Sequence, residues 1–294
     1  MLSRRRPADA HFSAIKGPRE QGGWQNHVLK RLIPGLGESL QRVLGRPRSS
    51  VGVAMFHTGR CGSTVLADLS GQHPDVAWTG EVFEPYMAAE HPEVGGELVR
   101  RELGRSRSKA RGRYFGFETK YLPQQHLSPG CIGLPLPDYV SLLRELGFEK
   151  FVILHRKNYL RRAISAAVGR QTNAWHSTTV ASRATRIVLD LTTFKTGATV
   201  STLLDLFAVM DAAYQELNEL LSEDEKLIIT YEDDIECDPY QAYRKLSFFL
   251  GLSEFQPVLK LKKTNPFSYN QMVENWGEVE SALCSTGYAW MLDA

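Results

Sequence analysis

Cysteine is scarce in this 294-residue chain, with four in all. Cys61, Cys131, Cys237 and Cys284 stand far apart. No C-x-x-C spacing offers a zinc site, and no dense framework offers a small disulfide-stapled secreted fold. A reduced, cytoplasmic setting is therefore expected. Charge of one sign is also lacking: the formal net charge is +2, which argues against a general binder of nucleic-acid polymer while leaving room for local basic patches. No apolar run is long enough to cross a bilayer, so no transmembrane segment is expected. The start, MLSRRRPADAHFSAIKG, is basic but has no apolar h-region, which excludes a secretory signal; Asp9 and Glu20 weaken a transit-peptide reading. Internal repeats and low-complexity tracts are absent.

What is present suits a large α/β core, since 43% of the residues are hydrophobic. Residues 1–50 are rich in Gly, Pro and Arg and read as an N-terminal extension, with a short helix over Leu36–Leu44; residues 51–294 read as the functional domain. Strands are expected from Val51 up to the loop that opens at His57, and at Val76–Thr79, Tyr114–Glu118, Phe151–Leu154 and Lys226–Tyr231. Between them the 3.6-residue periodicity predicts helices over Tyr159–Val168 and Ser201–Leu221. Asp138 is expected to cap a helix ending near Gly147. Asp238-Pro239 opens another that runs to Leu250 and stops at Gly251. The basic stretch Arg100–Arg113 reads as a solvated loop or frayed helix, against a rim that attracts an anionic donor or acceptor. Strands alternating with helices predict a three-layer α/β sandwich, P-loop-like, with a central parallel sheet covered on both faces.

The sharpest local signal is VGVAMFHTGRCGSTVL, Val51 to Leu66. An apolar strand enters a short glycine loop and a helix follows, a geometry that aims backbone N–H groups at a phosphate. The loop is not a Walker A sequence. His57 stands at the first glycine position, and Ser63 rather than Lys follows Gly62. The cation comes earlier, at Arg60. Thr58, Gly59, Arg60, Cys61, Gly62, Ser63 and Thr64 are thus candidates for a phosphate site that does not take metal-bound ATP.

A second strand-to-helix junction reads HRKNYLRRAIS, His155 to Ser165. Arg156 leaves the strand and Ser165 lies in the following helix. In a doubly wound sheet both junctions open on one edge, where ligands bind. One ligand carrying two separated phosphates would bridge them. Arg161 and Arg162 are expected to face solvent or acidic neighbours, with one of them able to join the anion site. Glu232 and Asp233 are expected to order the core edge rather than react.

These two motifs resemble those of the sulfotransferases that use 3′-phosphoadenosine 5′-phosphosulfate. Their 5′-phosphosulfate loop commonly reads [KR]-[ST]-G-[ST]-[ST]; here it is Arg60-Cys61-Gly62-Ser63-Thr64. Their 3′-phosphate motif pairs an Arg at a strand end with a Ser in the next helix; here these are Arg156 and Ser165. RKNYLRRAIS looks closest to the bacterial carbohydrate sulfotransferases of the trehalose and Nod-factor type. Gly80-Glu81-Val82-Phe83, Gln171-Thr172 with Trp175, Thr230-Tyr231-Glu232-Asp233, and Lys262-Lys263-Thr264-Asn265-Pro266 with Asn275 are further echoes. The resemblance runs from Val51 to the C-terminus. Cys61 departs from it, because a thiol is a weak donor; the backbone N–H there still serves a phosphate.

The resemblance implies the nucleotide phosphosulfate as sulfonyl donor, 3′-phosphoadenosine 5′-phosphate as product, and no metal. It implies Arg60 as the clamp on the leaving group and Glu81 as base toward the acceptor hydroxyl. Read without it, Glu81 is a surface carboxylate or a helix-start residue. His57 is the second choice of base, against a structural hydrogen bond at the strand end; His176 beside Trp175 is a third. Lys263, with Lys262, is expected to close over the nucleotide, against a solvated charge run, and Lys120 to line the acceptor cleft. The acceptor is expected to be a carbohydrate, with a small-molecule alcohol or amine as alternative, and its pocket to come from loops Gly80–Arg113 and Gln171–Lys195. A nucleotide kinase on the same sheet, or a non-catalytic nucleotide-binding protein, are the readings of other classes. A homodimer stays open.

Overall fold

The computed structural model describes residues 50–87, 94–179, 182–197, 199–263 and 266–293. The expected extension, its helix over Leu36–Leu44, and Thr264-Asn265 of the tail lie outside them.

Five strands form one parallel sheet: β1 (Val51–His57), β2 (Val76–Glu81), β3 (Tyr114–Lys120), β4 (Phe148–His155) and β7 (Lys226–Thr230), in the order β2-β3-β1-β4-β7. A small antiparallel pair, β5 (Phe194–Thr196) and β6 (Thr199–Ser201), stands apart. The helices are α1 (Ser63–Gly71), α2 (Gly96–Arg107), α3 (Leu136–Glu145), α4 (Tyr159–Thr172), α5 (Leu203–Leu220), α6 (Pro239–Leu250), α7 (Tyr269–Met272) and α8 (Trp276–Leu283). The α/β architecture is the one expected.

Alternation along β1 and β4 builds the two hydrophobic layers. Ala54, Phe56, Phe151 and Ile153 face one cluster, with α2 to α5; Val53, Met55, Val152 and Leu154 face the other, with α1 and α6. The helix after β1 and the helix after β4 therefore lie on opposite faces of two adjacent strands. That reversal opens a crevice at their C-terminal ends.

Local chemistry sets the helix ends. Asn158 caps α4, its Oδ1 accepting from Arg161 N at 2.8 Å. Asp238 accepts from Tyr240 N at 3.0 Å, Pro239 opens α6, and Gly251 closes it at φ 59°. Asp138 is not the cap expected of it: α3 begins two residues earlier, after Pro135, and carries Pro137 in its first turn, where a missing N–H costs nothing. The basic stretch is ordered further than expected. Leu98, Val99 and Leu103 bury one face of α2, and Arg107 donates to Leu146 O and Ser50 O. β7 ends at Thr230, so Tyr231 belongs to the following π turn. No helix among the described residues is long and apolar enough to cross a membrane.

Candidate active site

A cavity of about 890 Å³ opens at the C-terminal edge of the sheet. The β1 loop, the ends of β2 and β3, α4, the Tyr231 turn and Lys262-Lys263 all line it. Both expected acceptor loops reach it, through Gly80, Glu84 and Met87 on one side and Trp175, His176 and Lys195 on the other.

The β1 loop is wound through the left-handed region at Gly59 (φ 80°), Arg60 (φ 61°) and Gly62 (φ 86°). Three such residues in four turn the peptide N–H groups inward, the shape of an anion nest. Arg60 adopts a conformation that a side chain disfavours, so neighbours must hold it there. They do: Arg156 Nη1 donates to Arg60 O at 2.6 Å, while Arg162 Nη2 and Gln125 Nε2 donate to Thr58 O at 2.6 and 3.1 Å. Gly62 is pressed against the Tyr231 turn, where an added Cβ would sit 2.9 Å from Ile235. Thr58, Gly59, Arg60, Gly62, Ser63 and Thr64 line the cavity. The Cys61 side chain does not; it is fully buried in the sheet's second hydrophobic layer, and burial pushes its thiol up to about 11.

The two junctions meet physically. Arg60 Nε donates to Ser165 Oγ at 3.0 Å, and Arg60 Nη1 donates to Trp175 O at 2.6 Å with the guanidinium over the Trp175 ring. Arg156 is buried, lies 4.2 Å over the Tyr231 ring, and has Glu232 Oε1 3.8 Å from its Nε. Glu232 itself accepts from Lys157 N and Asn158 N, ordering the junction as expected. Of the pair, Arg161 faces an acidic neighbour, Glu236, and Arg162 is the one that turns toward the β1 loop. It is 5% exposed, because its position on α4 points it under the β1 loop rather than outward. Burial lowers its guanidinium to about 10, and lowers that of Arg60 too. The Nε atoms of Arg156 and Arg162 are buried without a hydrogen-bond partner among the described residues. Buried donors on stacked cations suit an anionic ligand. Lys263 also lines the cavity, with Nζ 2.6 Å from Glu236, which Arg161 shares at 3.1 Å.

The other half of the cavity is acidic. Glu81 ends β2 in register with Glu118 of β3, and Lys120 ends β3 in register with His57. Glu81 Oε2 lies 2.6 Å from Lys120 Nζ, which also contacts Glu84. Burial pushes Glu81 up to about 7 despite the Lys120 ammonium. His57 does not line the cavity. It is fully buried behind the loop, its Nδ1 accepting from Gly59 N at 3.1 Å, and burial holds it well below the ordinary histidine range. With Nδ1 an acceptor, neutral His57 carries its proton on Nε2, 3.8 Å from Glu81 and 3.7 Å from Glu118. His126, also buried and held neutral, repeats the arrangement: Nδ1 accepts from Lys120 N at 2.9 Å and Nε2 faces Glu84 at 3.3 Å.

Two three-residue groups among the described residues are close enough to consider for a metal, His57/Glu81/Glu118 and Glu81/Glu84/His126. Their chemistry does not suit one. Each histidine turns a protonated Nε2 toward the carboxylates, with no lone pair to give, and Lys120 already supplies a cation to the second group. Glu84, Glu118 and His126 were not signalled by the sequence, which also left open which of Arg161 and Arg162 joins the anion site. Register with Glu81 and His57 would have found Glu118, but only three-dimensional placement finds the others.

No protein-family model matches the chain, and no curated protein does. Among solved structures it is similar to the crystal structure of a sulfotransferase from Alicyclobacillus acidocaldarius, at 15% identity and a TM-score of 0.47, over 85% of this chain and 95% of that one.

Proposed function

We propose that this chain is a sulfotransferase that moves a sulfonyl group from 3′-phosphoadenosine 5′-phosphosulfate to an acceptor hydroxyl of a carbohydrate. The observation that carries the reading is the joining of two arginine-bearing strand ends and a carboxyl of raised proton affinity in one cavity.

The orphaned Nε atoms of Arg156 and Arg162 and the inward-turned loop fit a ligand with two phosphates. In this reading Arg156 and Ser165 hold the 3′-phosphate. The N–H groups of Arg60 to Thr64, with the Thr64 hydroxyl, hold the 5′-phosphate, while Gly59 N–H stays on His57 Nδ1. Lys263 leaves Glu236 to cover the nucleotide. When bound, the donor supplies an activated sulfonyl group and a phosphate leaving group.

Arg60 places fixed positive charge where the leaving oxygen gains its electron pair, and no reorganisation is needed at that moment. Glu81 takes the acceptor's proton as the new O–S bond forms and the old S–O bond breaks. His57 positions rather than reacts: its Nδ1 fixes Gly59 N and its Nε2–H faces the carboxylates. Trp175, 40% exposed at the mouth, offers a flat face for an acceptor ring.

Transfer of labelled sulfate from the donor to a panel of sugars, lipids, alcohols and amines tests the reading. Turnover with a sugar hydroxyl supports it, and turnover with an amine would move the acceptor class. Tight binding of the bisphosphate product with no transfer to anything would make the chain a nucleotide-binding protein. Magnesium- and ATP-dependent turnover would make it a kinase.

A further inference from the structure

Glu81 is surrounded by ionisable groups from every element that meets it: His57 from β1, Glu118 and Lys120 from β3, Glu84 from the turn after β2, and His126 from the segment after β3. Two of these contacts are near mirror images. His57 Nε2 lies 3.8 Å from Glu81 Oε1, and His126 Nε2 lies 3.9 Å from Glu81 Oε2. Each ring is locked by a backbone N–H on its Nδ1, from Gly59 and from Lys120. The asymmetry lies in Glu84. It takes the His126 N–H and contacts the Lys120 ammonium that Glu81 also holds.

We propose that Glu84 is the positioning residue of this site: by sharing Lys120 with Glu81 and being anchored by His126, it prevents Lys120 from neutralising Glu81 and so keeps Glu81 a competent base. The inference rests on the reading of Glu81 as the acceptor base. Two carboxyls joined by one ammonium cannot both be fully satisfied by it, and the better-anchored one holds the negative charge. Glu84 is the better anchored. The His126 contact, followed by its links to Glu81 and Lys120, draws it well below the usual carboxylate range, while burial and the Glu84 contact hold Glu81 up. The geometry also explains why His126 is buried with its tautomer fixed. A ring free to flip would present a lone pair to Glu84 and release it.

The test follows Glu81 directly. Carbon-13 NMR of the glutamate carboxyls in the ligand-free protein, assigned with Glu81→Gln, reports its titration without any turnover. Glu84→Gln removes the competing charge and leaves Lys120 to Glu81 alone. Glu81 should then release its proton about one pH unit lower, a tenfold loss of proton affinity. Lys120→Met should move it the other way. Glu84→Asp should restore most of the wild-type titration. In sulfonyl transfer, the rise of kcat/KM with pH should move in step for each variant. An unchanged Glu81 titration in folded Glu84→Gln protein, checked by circular dichroism, overturns the proposal. So does a shift of the same sign in Glu84→Gln and Lys120→Met. A wild-type protein that transfers sulfate to no acceptor, yet shows the NMR shifts, overturns the function and leaves the coupling standing.

Discussion

Arg162 gives the most exacting test of the anion site. It is 5% exposed, has no carboxylate partner among the described residues, and keeps one strong contact, Nη2 to Thr58 O at 2.6 Å. Burial first, and then the Arg170, Arg156 and Arg60 charges, push it down to about 10. At about 1.4 kcal/mol per tenfold in proton affinity, holding the cation there costs on the order of 3 kcal/mol. Its charge-assisted hydrogen bond to Thr58 returns about 1.5–3 kcal/mol. Arg162→Met removes both terms while keeping the apolar stem, so the ligand-free fold should change by no more than about 1.5 kcal/mol, the two terms largely cancelling. The ligand-bound state has no such cancellation, because an anion offsets the buried charge. Affinity for 3′-phosphoadenosine 5′-phosphate should fall about 10- to 100-fold, or roughly 1.4–2.8 kcal/mol. Urea unfolding measures the first quantity and isothermal titration calorimetry the second. A variant destabilised by about 3 kcal/mol or more that binds the nucleotide with wild-type affinity would make Arg162 a structural brace and refute the reasoning.

Three further outcomes are expected. Glu81→Gln should lower transfer at least about 100-fold while product affinity stays within about threefold, as calorimetry beside initial rates will show. Glu81 is raised to about 7, and the base proposed for it is its carboxylate form, so kcat/KM should rise as pH passes upward through that value, and a flat profile from pH 5 to 8 would exclude it as base. Gly62→Ala meets a φ of 86° and Ile235 at 2.9 Å; it should cost about 1–2 kcal/mol in urea unfolding and weaken nucleotide binding, since the nest must open to admit the methyl group.

The parts of the site that could be read in advance are those that local chemistry writes. The run into His57, the glycines around Arg60, and Arg156 at a strand end each carry their geometry within a few residues, and the sheet places them on one edge. Arg162 could not be read this way. Its neighbour Arg161 has the same composition around it, yet one faces Glu236 at 3.1 Å and the other Thr58 O. Which side of α4 turns under the loop depends on how that helix packs on the sheet, through Leu160, Ala163 and Ile164. Asp138 fails for a related reason: Leu136 buries against the core and draws α3 back past the residue that looks like its cap. The thiol of Cys61, in the loop beyond β1, likewise turns into the layer with Met55 and Leu66 instead of the cavity that the motif's hydroxyl would face.

Sheet order separates the arginines of the proposed donor site from the carboxyls of the proposed acceptor site. β1 and β4 are adjacent, and their reversal of helix faces gathers Arg60, Arg156 and Arg162 around one crevice. Glu81 lies at the end of β2, with β3 between β2 and β1. At about 4.8 Å between neighbouring strands, the Glu81 backbone stands roughly 10 Å from that of the β1 end. β3 fills the interval with Lys120, whose ammonium pairs with the carboxyls. A cationic clamp placed next to a base would quench it as an ion pair. One intervening strand sets Arg60 and Glu81 apart, and Lys120 is the cation paired with Glu81, a hold that Glu84 limits in the proposed arrangement.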